Sequence, residues 1–360
     1  VHHDLRALTE KRPSPKEGLS LHYEKADMTQ KGIWRRALVV LALAAGARPP
    51  AAGQTPGPPL RRWAAQNVAL EAARSDAACL ILPVDLTYDA GTIYVVDAQD
   101  CAVKLFSKQG KFMKTVGRKG CGPGEFLFPS GVSAVGGCIH VADKLNRRIQ
   151  VLDASGRQLR SFGVPFAPDK VFALGKNRVL VTHNPSGRSG SEKMLHAFDE
   201  RGYLLWERLD SRASGDPLAD AFANMILVNP GARGDFFVVF KSRERSISHF
   251  GNGGELLGRI ETDARHLVKD LLLTGAGRSR VIPGFCWASA FDGDRLFLLA
   301  PHSTDGQDLG PGIEISVIDR AGRLESLIRL PFPVTRMAVE GDRIYAIDAD
   351  GEFRILRIVR

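Results

Sequence analysis

Three glycines spaced 46 residues apart, Gly110, Gly156 and Gly202, constrain this chain more than any other feature. Each follows, at the same offset, a short segment of alternating polarity: residues 103–106, 149–152 and 194–198. Each is followed by another short apolar run. Upstream, residues 93–97 (IYVVD) match residues 139–143 (IHVAD). Strict alternation is the mark of half-buried strands, and a glycine in the turn supplies the positive φ that a tight hairpin needs. The unit therefore reads as strand, short loop, strand, glycine turn, strand.

The unit recurs with drift to the C-terminus. Residues 236–240 and 247–250 pair around a turn with Gly254, residues 295–299 and 313–318 precede Gly322, and residues 343–347 and 353–356 end the series. An apolar run precedes the first strand of every unit, at 84–88, 131–135, 171–174, 225–228, 287–290 and 337–339. Six units of up to four strands, repeating every 40–50 residues or so, predict an all-β fold: a six-bladed β-propeller of four-stranded antiparallel blades. The sixth unit has three strands, and a ring cannot leave an open edge. The segment before the first unit must supply the fourth. Residues 79–82 are its most strand-like part, and residues 63–73 look helical.

Composition agrees with a globular chain. It is 44% hydrophobic and 25% charged over 360 residues, which excludes a coiled coil, a collagen, a disordered chain and a multi-span membrane protein. Lys31, Arg35 and Arg36 precede a nine-residue apolar run and then small residues, the pattern of a secretory signal peptide. The expected organisation is an upstream extension at 1–27 with Met28 as initiator, a signal peptide at 28–53, a linker at 54–62 and the propeller at 63–360. The expected location is periplasmic or secreted, with no membrane span after cleavage. Residues 1–53 carry nine Lys and Arg against five acids, leaving 40 against 35 in the rest. That mild, interspersed excess is no nucleic-acid footprint.

Residues 141–156, Val141-Ala-Asp143-Lys-Leu-Asn146-Arg-Arg148-Ile-Gln-Val-Leu-Asp153-Ala-Ser-Gly156, resemble the NHL repeat, V-x-D-x-x-N-x-R-I-x-V-F-D-x-x-G. Residues 117–126 resemble the glycine-rich link between NHL blades. The first unit departs from the pattern, with Cys101 and Ala102 where the second has Arg147 and Arg148. The resemblance is strongest over 91–163 and weak beyond 208. It implies a six-bladed propeller, as in bacterial extracytoplasmic members, and carries architecture better than activity.

Little in the sequence suggests catalysis. Asp97 and Asp143 end second strands, where a carboxylate caps the following turn. The glycine-rich link has no Lys-Ser/Thr ending, so it is no phosphate loop. The histidines lack ligand spacing and there is no nucleophile elbow. No catalytic residue, metal or cofactor is expected. Propeller geometry puts first-strand starts and second-to-third-strand loops on one side of the ring. Asp85 and Asn224, at strand starts with Ser130, Lys170 and Thr335, then join Arg147, Arg148, His183, Lys241 and Arg243 as candidate ligand-binding residues. Long links at 209–224 and 261–284 reach the same side, the second with Thr262 placed to cap a helix through 265–273. The expected function is an extracytoplasmic binding module for a protein, glycan or anionic ligand, with Arg148 and Lys241 as solvated cations dispensable for folding. The alternative is a metal-dependent hydrolase or lyase, lactonase-like, with an axial site. Export permits a disulfide, and Cys101 with Cys121 is the candidate pair. Cys79, Cys138 and Cys286 read as buried thiols.

Overall fold

The computed structural model describes residues 60–68, 78–175, 177–185, 192–231, 233–242, 244–262, 269–275, 278–302 and 310–360. The expected signal peptide, the linker up to residue 59, and Arg243 lie outside them.

Strand β1 (Arg61–Val68) comes first among the described residues and completes the last blade. Blade one is β2 (Pro83–Asp89), β3 (Thr92–Asp97), β4 (Ala102–Ser107) and β5 (Phe112–Val116). Blade two is β6 (Pro129–Val135), β7 (Cys138–Asp143), β8 (Arg148–Asp153) and β9 (Gln158–Gly163). Blade three is β10 (Lys170–Ala173), β11 (Arg178–Thr182), β12 (Lys193–Asp199) and β13 (Leu204–Asp210). A short helix, α1 (Pro217–Ala223), leads into blade four: β14 (Ile226–Pro230), β15 (Phe236–Phe240), β16 (Ile247–Phe250) and β17 (Leu256–Ile260). A separate hairpin, β18 (Lys269–Gly275) with β19 (Arg278–Gly284), follows. Blade five is β20 (Ala288–Asp292), β21 (Arg295–Leu299), β22 (Gly312–Asp319) and the first part of β23 (Leu324–Glu340). The later part of β23 opens blade six and pairs with β24 (Arg343–Asp348), then β25 (Phe353–Val359) and β1.

The ring closes through β1. It runs antiparallel to β25 from Ala64 opposite Val359 to Val68 opposite Ile355, and its first residues also run parallel to β23. This corrects the helical reading of 63–68 and the strand reading of 79–82. Alanine-rich composition suggested helix, but an outer strand needs just one apolar side, and the alternating Trp63 and Ala65 supply it against the neighbouring core. The unpaired edge of β25 outweighs local propensity. The helix expected through 265–273 is also corrected: residues 269–273 lie in β18.

Six hydrophobic clusters hold the described ring, and each joins two consecutive blades. Val103, Leu105, Val132 and Val141 join blades one and two, and Val171, Val181, Ile149 and Phe162 join two and three. The third, fourth and fifth interfaces follow the same plan. Ile93, Val95 and Phe106 of blade one meet Tyr345, Phe353 and Ile355 of blade six, and Tyr88 stacks on Tyr345 at 5.1 Å. The core is thus a closed series of sheet-on-sheet contacts.

Two polar devices repeat with the blades. An aspartate at the end of the third strand caps the glycine turn: Asp153, Asp199 and Asp319 each accept two backbone N–H bonds across it. The glycine then lies against the preceding blade. Gly202 has φ +86°, and a Cβ there would sit 2.4 Å from Phe162 Cβ. We predict that Gly202→Ala lowers stability by about 2–3 kcal/mol, from strained φ and a clash together. Gly136 has φ +58° and open space around it. Gly136→Ala should cost about 1 kcal/mol, for φ alone. Urea unfolding of both variants tests the difference.

The second device is the buried aspartate ending the second strand. Asp143 accepts the Leu127 N–H at 2.7 Å, Asn146 Nδ2 at 2.8 Å and Arg148 Nε at 2.8 Å. Arg148 Nη2 donates to the Gly122 and Glu125 carbonyls, both at 2.9 Å, in the link from the preceding blade. Arg148 is therefore a clamp between blades and not the solvated ligand-binding cation expected. In blade one Ala102 stands at that position, and Lys104 takes over: its ammonium lies 2.9 Å from Asp100 and 3.7 Å from Asp97 and donates to the Cys79 carbonyl. Cys101 occupies the left-handed turn position that Arg147 holds in blade two, with φ 53° and 49°. Its thiol turns inward to the Ala98 carbonyl, while Cys121 is exposed, and both are free thiols. The expected bond between them is absent from this structure. Cys286 is buried as expected, Cys138 partly so, and Cys79 is exposed.

Arg148→Ala should destabilise the fold by roughly 2–4 kcal/mol, because it strands a fully buried carboxylate. A thermal melt unchanged from wild type would refute the clamp.

Candidate functional site

The innermost strands β2, β6, β10, β14, β20 and β23 surround the axis and enclose a cavity of about 550 Å³. Its polar end lies where these strands start. There the backbone does something the hydrophobic pattern does not specify. The first strands of blades one, two and six each begin with a register shift, between Pro83 and Asp85, Pro129 and Gly131, and Val334 and Arg336. A bulge leaves one residue outside the ladder and re-aims its polar groups. The skipped residues are Val84, Ser130 and Thr335, and the carbonyls of all three accept from cations at the axis.

Lys170 Nζ donates to Ser130 O at 2.8 Å and Val84 O at 3.0 Å, and pairs with Asp85 Oδ1 at 3.2 Å. Asp85 Oδ2 in turn accepts the Val132 N–H at 3.0 Å. Arg336 Nε donates to the same Val84 carbonyl at 3.0 Å, and its Nη1 to Thr335 O at 2.8 Å. One carbonyl thus holds two cationic side chains together. Removal from water pushes the Lys170 ammonium below its ordinary pKa, with Arg336 adding to the effect and Asp85 and Asp169 opposing it.

Lys241 is a further cation on the cavity wall. Its ammonium lies 5.1 Å from the centre of the Trp287 ring. Among the described residues it has neither a hydrogen-bond acceptor nor a carboxylate within ion-pair distance. Burial is the main cause that brings its pKa down to about 8, and repulsion from Arg336 and Lys170 adds to it. Cys286 lies next to it in space but supplies no counter-charge, because burial pushes that thiol up to about 12. The Cys286 Sγ–H instead donates to Ala288 O at 3.1 Å. Among the described residues the buried indole N–H of Trp287 has no partner.

The other sequence candidates divide. Asp85, Asn224, His183 and Lys241 reach the cavity wall, and Arg147 and Arg148 do not. Asp85 is spent on Lys170. Both ends of the Asn224 amide bind the backbone of Arg212, pinning the link before α1. His183 packs its ring on Phe166 and meets Glu192 at 3.0 Å. Arg147 is exposed on the β7–β8 turn. Lys144 and Asp169, 3.9 Å apart, complete the polar end of the wall. Sequence reasoning placed Lys170 at a strand start without choosing it, and it passed over Arg336. The signal was the basic residue at the start of an inner strand, but the bulge that moves the axial position from Thr335 to Arg336 leaves no mark in polarity. Among the described residues no three His, Cys, Asp or Glu side chains converge as a metal site would require.

Comparison with known proteins bears on the fold. A family model described as a six-bladed β-propeller matches residues 75–202. A Bacteroides fragilis protein described as exported superposes with a TM-score of 0.54 at 14% identity, over 82% of this chain and 95% of that one. A luciferin-regenerating enzyme gives 0.52 at 11% identity, over 83% and 95%. The hydrazine synthase of Kuenenia stuttgartiensis gives 0.50 at 12%, over 85% and 99%. No curated protein sequence matches the chain. At such identities the likeness extends to architecture alone, and with the six interfaces above it makes this chain a six-bladed β-propeller.

Proposed function

We propose that the protein is an extracytoplasmic binding module that takes a small anionic ligand at the polar end of its axial cavity. The observation that carries this reading is the imbalance of charge there. Lys170, Arg336 and Lys241 face Asp85 and Asp169 across a shared space; Asp85 is paired with Lys170, Asp169 lies by Lys144, and Lys241 has no counter-ion among the described residues. A carboxylate or phosphate between Lys241 and Arg336 would neutralise the unpaired ammonium. It would also meet guanidinium N–H groups that Arg336 does not spend on backbone carbonyls. The low polarity of the Trp287 side strengthens such a contact. Export is supported by the basic, apolar and small-residue series at 31–53. The bound group could belong to a free metabolite or to an acidic glycan, since both present the same chemistry.

The titration of Lys241 gives this reading a definite pH signature. The groups facing it are Arg336 and Lys170, which lower its pKa, Asp169, which raises it, and the Cys286 thiol, which is protonated throughout this range. With a pKa of about 8 the amine is charged at pH 7 and mostly neutral at pH 9. Citrate, a polyanion throughout that range, should bind about ten-fold more weakly at pH 9 than at pH 7. Lys241→Met should bind weakly at both. Calorimetric titration of the full chain with citrate checks this. Affinity that is independent of pH and unaffected by Lys241→Met would overturn the reading.

A further inference from the structure

The surroundings of Lys241 suit more than ion pairing. A lysine that serves solely as a point charge is normally met by acceptors, and its neighbour Lys170 shows the pattern: three acceptors for three N–H bonds. Lys241 has an aromatic face in place of acceptors. Its nitrogen lies on the wall of a cavity large enough for a small metabolite, beside an arginine with N–H groups to spare.

We propose that Lys241 is an imine-forming lysine that captures the carbonyl carbon of a small anionic aldehyde or 2-oxo acid, with Arg336 holding the carboxylate. The inference rests on the anion-binding reading and deepens it by naming the ligand class.

The step balances without any outside oxidant or reductant. The neutral amine of Lys241 attacks the carbonyl carbon, forming a C–N bond and a carbinolamine. Loss of the former carbonyl oxygen as water leaves a C=N bond. Counted from the ammonium, two of its three N–H protons leave in the water and one stays, so the iminium carries the single positive charge that the ammonium carried. That charge is spread over carbon and nitrogen. It needs hydrogen-bond acceptors less than an ammonium does, and it can remain over the Trp287 ring. The carboxylate of a 2-oxo acid would lie one bond from the iminium carbon, balancing the charge that the protein leaves unbalanced.

The local chemistry supplies the free amine. With a pKa near 8, about a tenth of Lys241 is neutral at pH 7, against roughly one part in three thousand for an ordinary lysine. Cys286 does not compete as the nucleophile, because its thiol stays protonated at this pH.

The test is reductive trapping on the full chain. Glyoxylate and cyanoborohydride at pH 7 convert an imine into a stable carboxymethyl-lysine, located by peptide mass mapping. The expected result is labelling of Lys241 at least about ten-fold faster than of other lysines, with acetaldehyde, which lacks the carboxylate, showing no such preference. Citrate should protect the site. Lys241→Arg separates the two readings, because it keeps the charge but cannot form the imine: citrate binding should persist and trapping should vanish. Glyoxylate labelling spread evenly over the lysines of the wild-type protein would overturn the imine, whether or not the variant folds. If citrate still binds in that case, anion binding stands and the imine alone falls; if citrate does not bind either, both fall.

Discussion

Ring closure is the constraint on which the rest of this structure depends. Each blade buries its two faces against its neighbours, so no blade has a complete core of its own. The six clusters between consecutive blades are complete only as a cycle. The last contact, Phe106 with Phe353 and Tyr88 on Tyr345, brings together segments some 250 residues apart in the chain. Strand β1 adds a second long-range tie by covering the outer edge of β25. Such closure is costly in chain entropy and is made late in folding when contacts are this distant. It also removes the open edge that would otherwise invite association with other chains.

Closure also creates the site. Six inner strands converging on one axis leave a space too narrow for another layer and too wide to be filled by short side chains. The strand starts deliver polar backbone to that space, and the bulges at Val84, Ser130 and Thr335 free carbonyls that the sheet does not use. Buried carbonyls need donors. Lys170 and Arg336 provide them, and so enter the axis first as structural groups. Once they are there, any further cation has its ammonium destabilised, and Lys241 meets that condition from the fourth blade. The electrostatics of the cavity therefore follow from an arrangement whose first purpose is to satisfy the backbone.

The fold was legible in the sequence because its determinants are local and repeated. Alternation marked the strands, and glycines 46 residues apart marked three of the turns. Drift obscured the later blades in motif but not in polarity pattern. Three features were not legible. The closing strand reads as helix from residue 63 because its alanines are strand residues solely by virtue of the edge they cover. Strand β18 reads as part of a helix through 265–273 because a leucine run has no clear period. Arg148 reads as a free surface cation because its partners, Asp143 and the carbonyls of Gly122 and Glu125, come together through the turn and the preceding link. At the axis, Asp85, Asn224, His183 and Lys241 line the cavity wall. Three of the four are occupied by partners that sequence spacing cannot reveal.

Lys241 is the residue for which stability and the proposed function pull in opposite directions. Its pKa is lower in the folded protein than in an unfolded chain, so the unfolded chain binds more protons between about pH 8 and the ordinary lysine value. Stability contributed by this group therefore rises with pH across that window, and below pH 8 the full cost of holding an unpaired ammonium remains. A methionine would pack on Trp287 as well and carry no such cost. Arg148 and Lys104, by contrast, are cations whose partners account for their presence entirely. Among the described charged groups around the axis, Lys241 is the one without a hydrogen-bonded or ion-paired partner, and a destabilising group on the wall of a cavity is the pattern expected where function, and not folding, decides the residue.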